Sequence, residues 1–117
     1  MKLRLNGNSL RLRLSQSDVA TLAERGRVDE TISFPNGPLV YSIESASTAT
    51  IQALFENNRI RVTLPAAEAQ RWMMSDEIGL ENPNFSPRIL IEKDFQCIHR
   101  DSEEDTDGFP NPLSKDS

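Results

Sequence analysis

The sequence predicts a mainly β (α+β) fold: two tandem strand–strand–helix–strand–strand repeats forming a pseudo-twofold barrel or sandwich with two short helices. Three observations predict it. Apolar and polar residues alternate in short runs, the signature of half-buried strands. That period gives way to helical spacing at two places. The whole order of periods then recurs with a shift of 50 residues, and fixed spacing is how repeats are recognised. The repeats run over about 2–45 and 52–95, inside one domain of residues 1–98. Residues 99–117 read as an acidic, partly flexible extension.

The elements follow in order. Leu3 and Leu5 alternate with Lys2 and Arg4, and Asn6-Gly7 is a two-residue hairpin signal because such turns need positive φ. Leu10, Leu12 and Leu14 alternate with Arg11 and Arg13, which predicts the second strand. Ser15 and Asp18 form a capping-box pair, and Val19, Leu22 and Ala23 give the stripe of a short helix. Gly26 suits its end. Val28 to Phe34 and Leu39 to Glu44 read as strands around the turn Pro35-Asn36-Gly37-Pro38, with Leu39, Tyr41 and Ile43 on one face. In the second half Ala53 and Phe55 take the places of Leu3 and Leu5, and Asn57-Asn58 supplies the turn. Ile60, Val62 and Leu64 match Leu10, Leu12 and Leu14, and Pro65 suits a helix start. Ala69, Trp72 and Met73 match Val19, Leu22 and Ala23; Ile78 matches Val28; Ile89 and Ile91 match Leu39 and Tyr41. Trp72 and Met73 therefore read as core. Identities are few: Asn8/Asn58, Arg11/Arg61 and Leu14/Leu64. One unit alone buries little surface, so two units are expected to share a core.

Composition bounds the chemistry. At 117 residues one domain can hold a core without disulfides or metal. Cys97 is the single cysteine, which suits a reducing compartment. No apolar run reaches the ~18 residues of a membrane helix, and the N-terminus lacks a secretory pattern. A cytoplasmic location is expected. The net charge of −5 is uneven. Residues 1–91 carry ten basic and ten acidic side chains; residues 92–117 carry three and eight.

The run Gly7-Asn8-Ser9-Leu10-Arg11-Leu12-Arg13-Leu14, followed by helix, strand, turn and strand, resembles the swapped-hairpin domain of AbrB/MazE-type regulators and antitoxins. The resemblance covers about 45 residues per half. It implies a DNA-binding hairpin, and an acidic extension that wraps a partner protein. Ser15 stands where those antitoxins open the helix with Pro, and Pro65 keeps it in the second half. The whole chain also resembles a family of small bacterial proteins of unknown function, through Leu12-Arg13-Leu14-Ser15-Gln16-Ser17, Glu92 to Cys97 and Phe109-Pro110-Asn111-Pro112. That resemblance implies no activity.

Four candidate chemistries follow. Lys2, Arg4, Arg11 and Arg13 alternate with leucines, so they should share one outer hairpin face, fit for phosphate contact or simply a solvated edge. Gln52 and Leu54 replace Lys2 and Arg4 in the second half, so that face is one-sided. Phe95, Phe109 and Leu113 are apolar anchors beside the acidic run 101–107, and an apolar anchor in a charged tail points to a partner-binding segment. Cys97 and His99, with Asp101, Glu103 and Asp105 beyond them, raise a metal- or thiol-dependent enzyme. One Cys and one His fall short of a zinc set, and no orienting group is visible. Neither a catalytic residue, a metal ligand nor a cofactor is expected. The expected function is a non-enzymatic protein-binding module acting through its extension, with an AbrB/antitoxin-like DNA-binding regulator as the alternative. The partner expected is another protein.

Overall fold

A computed structural model of the chain describes residues 1–95. The elements are β1 (Lys2–Asn6), β2 (Ser9–Leu14), α1 (Gln16–Arg25), β3 (Arg27–Phe34), β4 (Gly37–Ala46), β5 (Gln52–Glu56), β6 (Arg59–Pro65), α2 (Ala66–Met73), β7 (Gly79–Asn82) and β8 (Arg88–Lys93). They build two four-stranded sheets, ordered β1-β2-β8-β7 (the first sheet) and β3-β4-β6-β5 (the second). Each sheet takes one hairpin from the first half of the chain and one from the second. Pairing is antiparallel within every hairpin, while the seams β2–β8 and β4–β6 are parallel.

The mainly β class with two short helices is what the alternating leucines predict. A closed barrel is not formed. Closure needs an unbroken hydrogen-bonded ring, and here β1 and β7 remain edges of one sheet, β3 and β5 of the other.

The inner faces of the sheets meet over one core. Leu10, Leu12 and Leu14 of β2, Leu80 of β7, and Ile89 and Ile91 of β8 face Val28, Ile43, Val62 and Leu64 of the other sheet. Leu22 of α1, and Ala69 and Trp72 of α2, close it at one end. Each fully buried large side chain is worth about 1.5–3 kcal/mol, so the leucine alternation supplies much of the drive to fold. The buried Trp72 indole donates to the carbonyl of Ile78 at 3.2 Å, and the Lys93 ammonium lies 5.4 Å from its ring centre. Buried polar edges need such partners.

Local chemistry sets the element ends. The Ser15 hydroxyl accepts from the Asp18 amide, and the Asp18 carboxylate accepts from the Ser15 amide, a complete capping box. Gly26 (φ 77°) ends α1 in the left-handed region. Asn57 (φ 52°) and Asn58 (φ 62°) make the β5–β6 turn, the type I′ requirement.

Several expectations shift by a few residues. The first hairpin turns on Gly7-Asn8, not Asn6-Gly7, because Asn6 still pairs with Ser9. Ala23 faces solvent, leaving Val19 and Leu22 as the apolar stripe of α1. Ile78 is 59% exposed, and Leu80 is the buried residue of β7. The uninterrupted 50-residue register is not kept either. The inner pairs are Val28 opposite Ile43 and Leu80 opposite Ile91, spacings of 52 and 48. A shorter α2 with a longer connection to β7 moves the strand along by two residues.

Candidate functional site: the open end between the sheets

Both helices lie at one end of the molecule. α1 leaves β2 after Leu14 and enters β3 at Arg27; α2 leaves β6 after Pro65. The tips of all four hairpins, at residues 7–8, 35–36, 57–58 and 83–87, lie at the other end. Nothing from residues 1–95 plugs that end. Inner-face side chains near the tips are consequently exposed: Leu5 (61%), Ile32 (45%), Phe34 (51%) and Phe55 (67%).

Between the tips runs a groove of about 380 Å³ with an apolar lining. Leu10 and Pro87 form one wall, and Leu39, Ala53, Phe55 and Ile60 the other, with Leu54 at the rim. Register explains the convergence. Leu5 stands opposite Leu10, Phe55 opposite Ile60 and Ile32 opposite Leu39, so three of the four tips present an apolar pair to the inside. Contiguous exposed apolar surface marks interaction sites in soluble proteins, and apolar clefts of this size suit ligand or peptide side chains.

The outer faces are charged. Lys2, Arg4, Arg11 and Arg13 do share the outer face of β1–β2, joined by Arg88 of β8. Most of that charge is paired. Glu92 lies 3.1 Å from Arg13 and 3.7 Å from Arg11, and Asp94 lies 2.9 Å from Lys2. Arg4 stands directly across from Arg11, and neither Arg4 nor Arg88 has an acidic partner among the described residues. On the second sheet, Arg61 meets Glu44 at 3.6 Å and Arg59 meets Asp29 at 3.2 Å. Beneath them Ser42 is buried, and its hydroxyl has no hydrogen-bond partner among the described residues.

A third cluster ties the sheets together at the side. The Met1 amine lies 2.9 Å from Asp18 and 3.0 Å from Glu30, and the Tyr41 hydroxyl donates to the Met1 carbonyl at 3.0 Å. Burial disfavours the charged amine, but hydrogen bonds to the two carboxylates outweigh it and raise its pKa. Burial likewise opposes Asp18 ionisation. The amine, the Ser15 amide and the Ser15 hydroxyl overcome that and hold its pKa below the ordinary value. Burial, then the charges of Glu30 and Asp18, push the Tyr41 phenol up. Beside this cluster lies a larger, polar depression of about 740 Å³. Its charges are of mixed sign, with Arg27 3.2 Å from Asp29 and 4.0 Å from Glu44.

Of the predicted anchors, Phe95 follows β8 and is 57% exposed. Phe109, Leu113, Cys97 and His99 lie outside the described residues. Trp72 and Met73 pack as core or against it. Among the described residues no group of three or more His, Cys, Asp or Glu is placed to hold a metal, and no helix is long and apolar enough to cross a membrane. The exposed apolar residues of the open end were legible only as strand residues. Their one distinguishing signal is position: Leu5, Phe34 and Phe55 each stand within two residues of a hairpin turn, where a strand leaves its core.

A family model matches residues 1–113. The chain belongs to that family, a family of unknown function (DUF7009). The match takes in the whole DUF7009 sheet pair and continues through Phe109-Pro110-Asn111-Pro112-Leu113. No curated protein and no solved structure matches this DUF7009 chain.

Proposed function

We propose that the chain is a non-enzymatic protein-binding module whose recognition surface is the open apolar end between its sheets. The groove lined by Leu10, Leu39, Phe55 and Ile60 carries this reading. Covering Phe55 there is worth on the order of 1–2 kcal/mol of apolar burial, and four hairpin tips can converge on one extended segment. A photo-reactive amino acid at Phe55 in expressing cells tests it, with each crosslinked partner purified and its affinity measured. Phe55→Ser should weaken that affinity about tenfold. Crosslinks that yield only partners indifferent to Phe55→Ser would refute it.

The proposal includes a duplicated origin. Two features support it. Arg11 reaches Glu92 diagonally across the β2–β8 seam at 3.7 Å, and Arg61 reaches Glu44 across the β4–β6 seam at 3.6 Å. In both, the Glu lies two residues beyond the direct partner of the Arg, Leu90 or Ser42. A pseudo-twofold axis relating the seams accounts for both, as does the swapped hairpin of AbrB/MazE-type domains.

One observation favours a second reading, DNA binding by the first hairpin. Arg4 and Arg11 are directly opposed in register, a repulsive placement that an anion would relieve. Against it, Glu92 and Asp94 already occupy Arg11, Arg13 and Lys2.

A further inference from the structure

We propose that the open end seats a second copy of this chain, the two copies related by a twofold axis and meeting apolar end to apolar end. The inference rests on reading that end as a recognition surface and names what it recognises.

Three observations point to a copy rather than to a partner of other chemistry. The first is charge. The four tips and the residues beside them, 6–9, 34–38, 57–58 and 82–87, hold no Asp, Glu, Lys or Arg, in a chain that is 26% charged. The charges that flank the β5–β6 tip, Glu56 and Arg59, stand opposite each other in register. Two copies carry the same net charge, −5, and repel as wholes. Near a twofold axis each charged side chain also meets its own sign. An end without charge is where copies approach at least cost, and depletion of charge marks the centre of protein interfaces.

The second is what replaces the charge. Asn6, Asn8, Asn36, Asn57, Asn58 and Asn84 are exposed at these tips, Asn82 stands beside them, and no other asparagine occurs in residues 1–95. Turn chemistry accepts Asp as readily as Asn, yet none of the 18 acidic residues stands at a tip. The difference lies in pairing. An amide both donates and accepts, so it bonds to its own copy across a twofold axis, whereas a carboxylate only accepts and repels its copy.

The third is area. Among the described residues eight large apolar side chains are strongly exposed, and five of them, Leu5, Ile32, Phe34, Leu54 and Phe55, belong to this end. Their exposures run from 45% to 67%. At roughly 200 Å² for a fully exposed side chain of that size, about 550 Å² stands uncovered on each copy. Two such ends bury about 1,100 Å², above the ~1,000 Å² that a specific interface needs. Phe55 is the most exposed of the five and also lines the groove. An axis beside the groove therefore sets the ring of each protomer against the cleft of its partner.

The test is sedimentation equilibrium of the full chain under reducing conditions, so that Cys97 forms no disulfide. The mass should rise from 13.2 kDa toward twice that value with a dissociation constant on the order of micromolar, as for a small interface, and should hold its strength as salt is raised. Each substitution enters a twofold contact twice, so the tenfold expected for one Phe55 contact becomes about a hundredfold in Phe55→Ser. A second pair of variants leaves the apolar residues alone. Asn36→Asp/Asn84→Asp and Asn36→Lys/Asn84→Lys should each dimerise about tenfold more weakly than wild type, and a mixture of the two should pair more tightly than either alone. A single 13.2 kDa species at every concentration up to about 1 mM would overturn the proposal. So would equal dimerisation by all these variants, or a dimer that weakens with salt and in Arg11→Ala/Arg13→Ala but not in Phe55→Ser. A fluorescent dye that reports apolar surface separates the copy from the groove reading. If the chain is monomeric and Phe55→Ser abolishes dye binding, the copy fails and the groove stands for another protein. If the chain is monomeric and Phe55→Ser leaves the dye signal unchanged, both fail.

Discussion

Gly79→Ala tests the packing of β7 against β8, which sets the wall of the core beside α2. A Cβ at Gly79 would stand 2.6 Å from the Ile91 carbonyl oxygen, whereas ordinary contact begins at 3.4 Å. About 0.8 Å must therefore be found, and the obstacle is backbone rather than a side chain that can swing away. Overpacking of this kind costs about 1–3 kcal/mol. Alanine returns about 0.4–1 kcal/mol by stiffening the unfolded chain. The net loss is about 1–2 kcal/mol, which in a domain this size lowers the melting temperature by roughly 5–15 °C. Gly26→Ala is the comparison. Gly26 sits at φ 77° with nothing within 4 Å of a Cβ, so its cost of about 1 kcal/mol is conformational, and Asn at that position should recover part of it. Asn at position 79 should recover nothing. Thermal and urea unfolding of the four variants provides the readout. A Gly79→Ala protein as stable as wild type would refute the close approach and the register around it.

Ser42→Ala should raise stability by about 1 kcal/mol, because it removes a buried hydroxyl with no partner among the described residues; a loss of similar size in urea unfolding would show that the hydroxyl is bonded. Asp18 links stability to pH through its lowered pKa. Its contribution is present above the unfolded value of 3.8 and lost as pH falls through the folded one, while the amine's is present below 8.0 and lost as pH rises through its raised value. Asp18→Asn should flatten both limbs of the stability profile, and an unchanged profile would show that the cluster does not set it. Glu92→Gln frees Arg11 and Arg13 from their shared partner. It should delay elution from a heparin column at low salt, an effect lost at high salt; unchanged elution would mean that Glu92 does not mask the face.

Much of the fold was legible in period alone. Leu10, Leu12 and Leu14, and Ile60, Val62 and Leu64, declare their strands because burial on one face demands alternation. Ser15, Asp18 and Gly26 declare α1 through capping chemistry. Lateral order was not legible, since nothing local in β2 says that its second neighbour is β8, almost 80 residues away. The register slip at Leu80 was hidden because Ile78 and Leu80 are both apolar and both allow alternation. The basic face was legible as a face, but its neutralisation by Glu92 and Asp94 depends on the parallel β2–β8 seam. The open end escaped for a related reason. Phe34 and Phe55 look like core residues in sequence, and only the placement of both helices at the opposite end leaves them uncovered.

Recognition of a partner by the apolar end, and not by the basic face, makes opposite demands on two sets of residues. Once a partner is in hand, its affinity for the purified chain should be measured for two variants side by side. Leu39→Ser/Phe55→Ser should weaken binding tenfold or more, while Arg11→Ala/Arg13→Ala leaves it nearly unchanged and insensitive to salt. The reverse ranking, with affinity collapsing in the arginine variant and falling steeply with salt, would move function to the first hairpin.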